Sequence, residues 1–142
     1  MKKLLIPLLL ASVILAACSN SAQGAPQVIT MDTNNMKFLP ATIEVKAGQP
    51  IKMTMRNIDG VDHDFSIMEF PMSKMSSNAE PVAGHSMGGS SGMAKEPELH
   101  IAVAMGKSGT LEFTPTKSGT YEFFCTVAGH KEAGMKGTLV VK

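Results

Sequence analysis

The sequence lacks a strong excess of either charge. Its 13 lysines and arginines nearly balance its 12 aspartates and glutamates, so the formal net charge is +1. Residues 1–17 hold two lysines and no acidic residue, so the chain without them has 11 basic and 12 acidic residues and a formal charge of −1. Because nucleic-acid-binding domains usually carry a clustered basic surface, we expect no nucleic-acid partner.

The sequence also lacks a sustained helical pattern. From residue 27 onward, no segment keeps a helical spacing of apolar residues over about ten positions. Apolar and polar residues instead alternate in short runs such as "IKMTMRN", and turn-forming segments such as "AGQP", "IDG" and "KSG" separate these runs. Roughly seven or eight short strands at this spacing predict an all-β, antiparallel β-sandwich in residues 27–142.

The amino terminus has the features of an export signal. Two lysines precede the apolar run "LLIPLLLASVILAA", which is too short and wrongly flanked to be a permanent membrane span. The segment "LAAC" resembles the lipobox of bacterial lipoproteins, so we expect residues 1–17 to be a signal peptide and Cys18 to be lipidated. An ordinary signal peptide with an incidental cysteine is the alternative.

The lipobox resemblance implies a location in the cell envelope. Residues 18–26 would be a flexible tether between a lipid anchor and the domain of residues 27–142. In a Gram-negative host we expect the periplasmic face of the outer membrane. In any other bacterium we expect the outer face of the plasma membrane.

Cysteine is scarce, because Cys125 is the only cysteine besides Cys18. If Cys18 carries lipid, the protein forms no internal disulfide, although an oxidising compartment would allow one. A lone thiol in such a compartment is exposed to oxidation unless it is buried or bound to a metal. The retention of Cys125 therefore favours a functional role.

The segment "YEFFCTVAGHKEAGM" places four residues between Cys125 and His130, and four more between His130 and Met135. These side chains could be an unrelated core thiol, loop imidazole and buried thioether, or they could converge on one metal ion. Strand alternation directs Cys125 inward at a strand end, and it also directs His63 inward among apolar neighbours. Two histidines and one cysteine with a weak axial methionine are typical of a blue-copper electron-transfer site.

With these motifs the chain resembles the small cupredoxins, the family of plastocyanin and azurin. The resemblance covers residues 27–67 and 99–142 and rests on "FLPATIEVKAGQPIKMTMRN", "VDHDF" and "YEFFCTVAGHKEAGMKGTLVV". It implies a Greek-key sandwich with one type 1 copper, bound by the imidazoles of His63 and His130, the Cys125 thiolate and the axial thioether of Met135. It implies a carrier that shuttles one electron between redox partners, such as a cytochrome or an oxidase-like protein.

The resemblance also implies how electrons leave the site. In the family, the histidine of the C-terminal loop lies at the surface in an apolar patch, which by position is His130. Small residues around it would form this patch, namely Ala128, Gly129, Ala133 and Gly134. We expect Phe124 to point outward beside them, near the surface that meets a partner.

One position departs from the family pattern. Many cupredoxins have asparagine or serine directly after the first histidine, whereas this chain has Asp64. Its backbone N–H could still reach the Cys125 sulfur. Its carboxylate would add negative charge near the site, so we expect it to stabilise oxidised copper.

Residues 68–98 do not fit the strand pattern and are rich in methionine, serine, glycine and proline. We expect a long loop insertion here. Thioethers and imidazoles suit Cu(I), so the segment could hold an accessory copper through Met72, Met75, His85, Met87 and Met93. A lid or a partner-docking loop is the alternative.

These residues leave a second function open, a copper-binding or copper-delivery lipoprotein of the envelope that uses the methionine-rich segment. An enzyme is not expected. Multicopper oxidases and copper nitrite reductases need additional histidine-rich sites, which the four histidines of this chain cannot build.

Overall fold

The computed structural model describes residues 24–80, 82 and 95–142. These residues form ten β-strands. The strands are β1 (Gln27–Thr33), β2 (Phe38–Leu39), β3 (Thr42–Val45), β4 (Ile51–Asn57), β5 (His63–Ile67), β6 (Met72–Asn78), β7 (Leu99–Val103), β8 (Ser108–Pro115), β9 (Gly119–Phe124) and β10 (Lys136–Val141).

The strands form two five-stranded sheets, which confirms the predicted all-β sandwich. One sheet has the order β2-β1-β4-β8-β6 and the other has the order β3-β10-β9-β5-β7. Most neighbours are antiparallel, but β1 with β4 and β3 with β10 are parallel. The sequence analysis did not predict these parallel pairs, because alternation shows which face a side chain occupies and not which strand lies beside it. Between β1 and β4 the chain crosses to the other sheet, where it forms β3, so that β4 can return beside β1 in the same direction.

A cluster of phenylalanines fills the space between the sheets. The rings of Phe65 and Phe123 have centroids 4.8 Å apart, and the Phe38 ring packs edge-on against Phe123 at 5.2 Å. Side chains two residues apart on a strand share a face. Phe65 therefore lies on the same side of its strand as His63, and Phe123 lies on the same side of the chain as Cys125. The cluster supports both of these strands from within the core.

Part of the expected loop insertion is a strand. Within residues 68–98, β6 pairs antiparallel with β8, with a bulge between Ser73 and Met75. Phe70 and Val82 are also buried, at 2% and 6% exposure. The expectation of a loop throughout residues 68–98 is therefore wrong for β6. The segment "MSKMSSN" has no β-branched or aromatic residue, and an edge strand with a single neighbour forms without a strong alternating pattern.

Several expectations concern residues outside the described ranges. The predicted signal peptide of residues 1–17, the lipidation site Cys18 and most of the tether lie there, as do His85, Met87 and Met93 of the methionine-rich segment. In the part of the chain that the structure describes, no helix has the length and apolarity to cross a membrane.

Candidate metal centre

The site lies where two neighbouring strands of one sheet meet a loop. His63 is the first residue of β5, and Cys125 directly follows β9, which pairs with β5 through Ser66 and Phe124. His130 lies in the loop between β9 and β10. Strand pairing therefore brings His63 close to a cysteine and a histidine that are more than 60 residues away in sequence.

Three donor atoms face one point at this end of the sandwich. The Nδ1 atoms of His63 and His130 lie 3.2 Å apart, and the Cys125 Sγ lies 3.9 and 3.4 Å from them, respectively. Of all the histidine, cysteine, aspartate and glutamate side chains in residues 24–80, 82 and 95–142, only these form a group of three within 4.8 Å of one another. His63 and Cys125 are fully buried and His130 is half-buried. Two imidazole nitrogens and one sulfur at these separations fit a single copper ion.

Backbone hydrogen bonds bring Met135 back to the same place. The Cys125 N–H donates to the Met135 carbonyl at 3.1 Å, and the Met135 N–H donates to the His130 carbonyl at 2.9 Å. Gly129 and Gly134 have positive φ values of 82° and 96°, which glycine adopts without a steric cost and which let the loop curl tightly. The Met135 side chain is fully buried. The structure thus holds the Met135 backbone against Cys125 and His130 and places its side chain in the core.

Asp64 ties the two ligand-bearing segments together. Its backbone N–H lies 3.4 Å from the Cys125 Sγ, as the sequence suggested. Its fully buried carboxylate accepts hydrogen bonds from the Ser66 hydroxyl at 2.9 Å, from the Thr126 N–H at 2.8 Å and from the Thr126 hydroxyl. The carboxylate therefore links β5 to the residue that follows Cys125.

The surroundings of Cys125 disfavour a bare thiolate. Burial, together with the negative charge of Asp64, raises the pKa of the Cys125 thiol to about 12, and backbone hydrogen bonds from Asp64 and Val127 offset only part of this. The metal-free protein therefore holds a protonated thiol at neutral pH. Because a metal binds the thiolate, metal binding must release this proton.

The structure reveals a partner of His63 that the sequence analysis missed. The Nε2 of His63 lies 2.9 Å from the Oδ2 of Asp59. Burial acts to raise the pKa of Asp59, but hydrogen bonds from the Asn35 and Met36 amides and from His63 outweigh it, so this pKa is lowered. The only signal in the sequence is an acidic residue four positions before the histidine.

The surface beside the site agrees with expectation at one point and differs at another. The loop residues Ala128, Gly129, Ala133 and Gly134 are all exposed around the half-buried His130. Phe124, expected to point outward, is instead only 7% exposed.

The side chain of Lys131 lies over the buried ring of Phe124. Its Nζ lies 3.7 Å from the centre of the Phe124 ring and 2.7 Å from the Oε2 of Glu122. An ammonium group over an aromatic face is favourable, and the aliphatic stem of lysine covers apolar surface. The expectation of an exposed Phe124 is therefore wrong.

The methionines Met72 and Met75 of the methionine-rich segment lie away from this site. Met72 is half-buried against the core, and Met75 is 46% exposed. Met75 pairs with Phe113, which pairs with Ile51 at the start of β4. His63 instead follows the end of β4, so Met72 and Met75 lie toward the opposite end of the sandwich.

Comparisons with known proteins agree with this geometry. Residues 25–142 match the profile of the family described as copper binding proteins, plastocyanin/azurin family. The chain is 33% identical to the copper-resistant cuproprotein CopI of Rubrivivax gelatinosus, over 85% of this chain and 68% of the relative. It is 32% identical to plastocyanin of Dryopteris crassirhizoma, over 78% of this chain and 93% of the relative.

A solved structure shows the same fold. Reduced auracyanin from Roseiflexus castenholzii superposes with a TM-score of 0.61 at 22% identity, over 84% of this chain and 99% of that one. The family match covers the complete sandwich and every residue of the donor cluster. The chain therefore belongs to the plastocyanin/azurin family of copper binding proteins, the cupredoxins, and its cofactor is copper.

Proposed function

We propose that the protein is a type 1 copper electron-transfer protein. The Nδ1 atoms of His63 and His130 and the thiolate of Cys125 would hold the metal, with the Met135 thioether as a weak axial ligand. The observation that carries this proposal is that donors from two separate parts of the chain, His63 and the segment with Cys125 and His130, already lie within 4.8 Å of one another. Bound copper supplies a centre that alternates between Cu(II) and Cu(I) and so carries one electron.

The protein residues keep the site rigid and dry. His63, Cys125 and Met135 have no exposed area, and the packed phenylalanines lie beneath the strands that carry His63 and Cys125. A close-packed interior resists displacement of its side chains, so the donors keep one arrangement in both oxidation states. This rigidity favours fast electron exchange because little structure has to rearrange.

His130 is the route by which an electron would enter and leave. It is the only one of the four proposed ligands that is not fully buried, and exposed small residues surround it. Small side chains let another protein approach the imidazole closely. We propose a redox protein, such as a cytochrome or an oxidase-like protein, as the partner at this surface.

We propose no catalytic role. Four protein donors would fill the coordination positions, whereas catalytic metal sites keep a position open for water or substrate. The proposed setting is the cell envelope, with Cys18 as the lipid anchor, on the strength of the signal sequence alone.

Copper resistance is a second candidate function. Its support is the 33% identity to a relative named a copper-resistant cuproprotein. A resistance protein could use the same site to bind surplus copper. The methionine-rich segment could contribute to such a role through Met75, which is exposed.

Spectroscopy and voltammetry on the copper-loaded protein test the main proposal. We expect an intense absorption band from charge transfer between the Cys125 thiolate and Cu(II), its loss on reduction, and a reversible one-electron wave. A colourless Cu(II) protein, or an irreversible wave, would contradict electron transfer at this site. Measuring the copper tolerance of cells without the protein, and copper transfer from the loaded protein to a chelator, tests the second candidate.

A further inference from the structure

The imidazole of His63 has a second nitrogen that faces away from the donor cluster. Its Nδ1 faces Cys125 and His130, whereas its Nε2 lies 2.9 Å from the Oδ2 of Asp59. The side chain of His63 has no exposed area and that of Asp59 is 14% exposed. If the carboxylate were removed, the buried Nε2 would lose its hydrogen-bond partner, which is costly inside a protein.

The Asp59 carboxylate is itself held in place by backbone groups. The Asn35 N–H donates to Oδ1 at 2.8 Å and the Met36 N–H donates to Oδ2 at 3.2 Å. Both residues have positive φ values, 51° and 59°, which non-glycine residues seldom adopt. In this conformation the successive amides between β1 and β2 form a concave site for an anion. The carboxylate is therefore oriented independently of the His63 ring.

The chemistry of imidazole gives this contact a consequence for the metal. A neutral imidazole carries one N–H, and a carboxylate that only accepts hydrogen bonds keeps this proton on the nitrogen that faces it. The proton on Nε2 leaves the lone pair of Nδ1 free at the donor cluster. Histidine ligands commonly donate their other N–H to a carboxylate, which fixes the ring and raises its basicity.

We propose that Asp59 is a positioning residue for the copper ligand His63, which holds the imidazole as the Nε2–H tautomer with Nδ1 directed at the metal. Asp59 acts through the Nε2 of His63, on the side of the ring away from the donor atom Nδ1. The inference rests on the proposed ligation of copper by His63. The competing explanation is that Asp59 only fastens the turn at Asn35 and Met36 to the loop that precedes β5.

Three variants of one residue and a matched control separate these explanations. Asp59→Asn keeps the size but removes the charge, Asp59→Ala removes the acceptor, and Asp59→Glu keeps a carboxylate. The control is Asp62→Asn, because the Asp62 carboxylate accepts the Met105 N–H at 2.9 Å in the same loop and has no described contact with His63. For each protein we would measure Cu(II) affinity by chelator competition, the electron paramagnetic resonance spectrum, and metal-free thermal unfolding. Nitrogen NMR of the metal-free protein would report the tautomer of His63, because no metal at Nδ1 then fixes the position of the proton.

We expect Asp59→Asn and Asp59→Ala to bind copper roughly 10- to 100-fold more weakly, with altered copper hyperfine splitting and loss of the single His63 tautomer. Asp59→Glu should recover part of the affinity, and Asp62→Asn should match the wild type. Unchanged affinity, spectrum and tautomer alongside a lower unfolding temperature would overturn the proposal and leave Asp59 as a fastening residue.

If Asp59→Ala does not fold, the isosteric Asp59→Asn decides, and a metal-free wild type with the His63 proton on Nδ1 would also overturn the proposal. Failure of the proposed electron-transfer function has a different signature. It would appear as an irreversible wave in the wild type, while the affinities and tautomers could still be compared.

Discussion

Replacement of Asp64 by asparagine should raise the reduction potential of the copper site. The Asp64 Oδ1 accepts from the Ser66 hydroxyl and the Thr126 N–H, and Oδ2 accepts from the Thr126 hydroxyl. An asparagine oxygen in the place of Oδ1 keeps the first two bonds, and the Thr126 hydroxyl can rotate to accept from the new amide. The substitution therefore removes a buried negative charge and retains the link between β5 and Thr126.

The size of the shift follows from the position of the carboxylate. A unit charge 4 Å from another is worth about 4 kcal/mol at an effective dielectric constant of about 20. The Asp64 carboxylate is bonded to Ser66 and to Thr126, the residue after Cys125, so we take its separation from the metal as about twice the 4 Å used above. Taking about half the close-range value gives about 2 kcal/mol, or about 90 mV for a one-electron couple. The shift is upward because the lost anion stabilises Cu(II) more than Cu(I).

Voltammetry of the copper-loaded Asp64→Asn protein checks this prediction, and retention of the thiolate charge-transfer band shows that the site is intact. The control is Ser66→Ala, which keeps the charge of Asp64 but removes one hydrogen bond that stabilises it. We expect the control to lower the potential slightly. An unchanged or lower potential in Asp64→Asn with the band intact would refute the electrostatic reasoning.

Four further predictions concern the site, the fold and the anchor. Cys125→Ala should abolish the visible band of the Cu(II) protein while circular dichroism shows an intact sandwich; a persistent band would contradict thiolate ligation. The metal-free wild type should lose stability as the pH rises from about 9 toward about 12, because the folded protein holds the Cys125 proton that the unfolded chain releases at the ordinary thiol pKa of 9.0; denaturant titrations of Cys125→Ala should show a shallower slope over this range. Gly137→Ala should lower the unfolding temperature, because a Cβ there would overlap the Phe123 ring, whereas Gly60→Ala, with no atom within 4 Å, should not. Cys18→Ala should move the protein from the membrane fraction to the soluble fraction or leave an unprocessed precursor, and mass spectrometry showing an unlipidated wild type would rule out the anchor.

The sequence allowed the donor cluster to be predicted because most of its geometry is local. Cys125, His130 and Met135 lie within one segment between two strands, and the fixed spacing lets the loop curl back on itself. His63 could be added because strand alternation directs it inward, where a histidine needs a partner. Burial of Ile51, Met53 and Met55 follows from the same alternation in β4.

Features that depend on long-range packing could not be predicted in this way. The contact between Asp59 and His63 exists because the turn between β1 and β2 packs against the loop after β4. The burial of Phe124 was also not predictable, because strand alternation does not show that the Lys131 side chain lies over its ring. The strand β6 pairs with the edge of β8, and this pairing cannot be predicted from its own sequence, which lacks the residues typical of strands.

The hydrogen bond between Cys125 and Met135 also makes the copper site depend on the assembly of the sheets. The strand β10 begins directly after Met135 and pairs with both β9 and β3, so the loop is closed only when β10 has joined the sheet. His63 and His130 are 67 residues apart, and they too come together only in the assembled sandwich. The complete donor set therefore exists only in the folded sandwich. If copper enters the folded protein, the copper-loaded fraction follows the local copper supply.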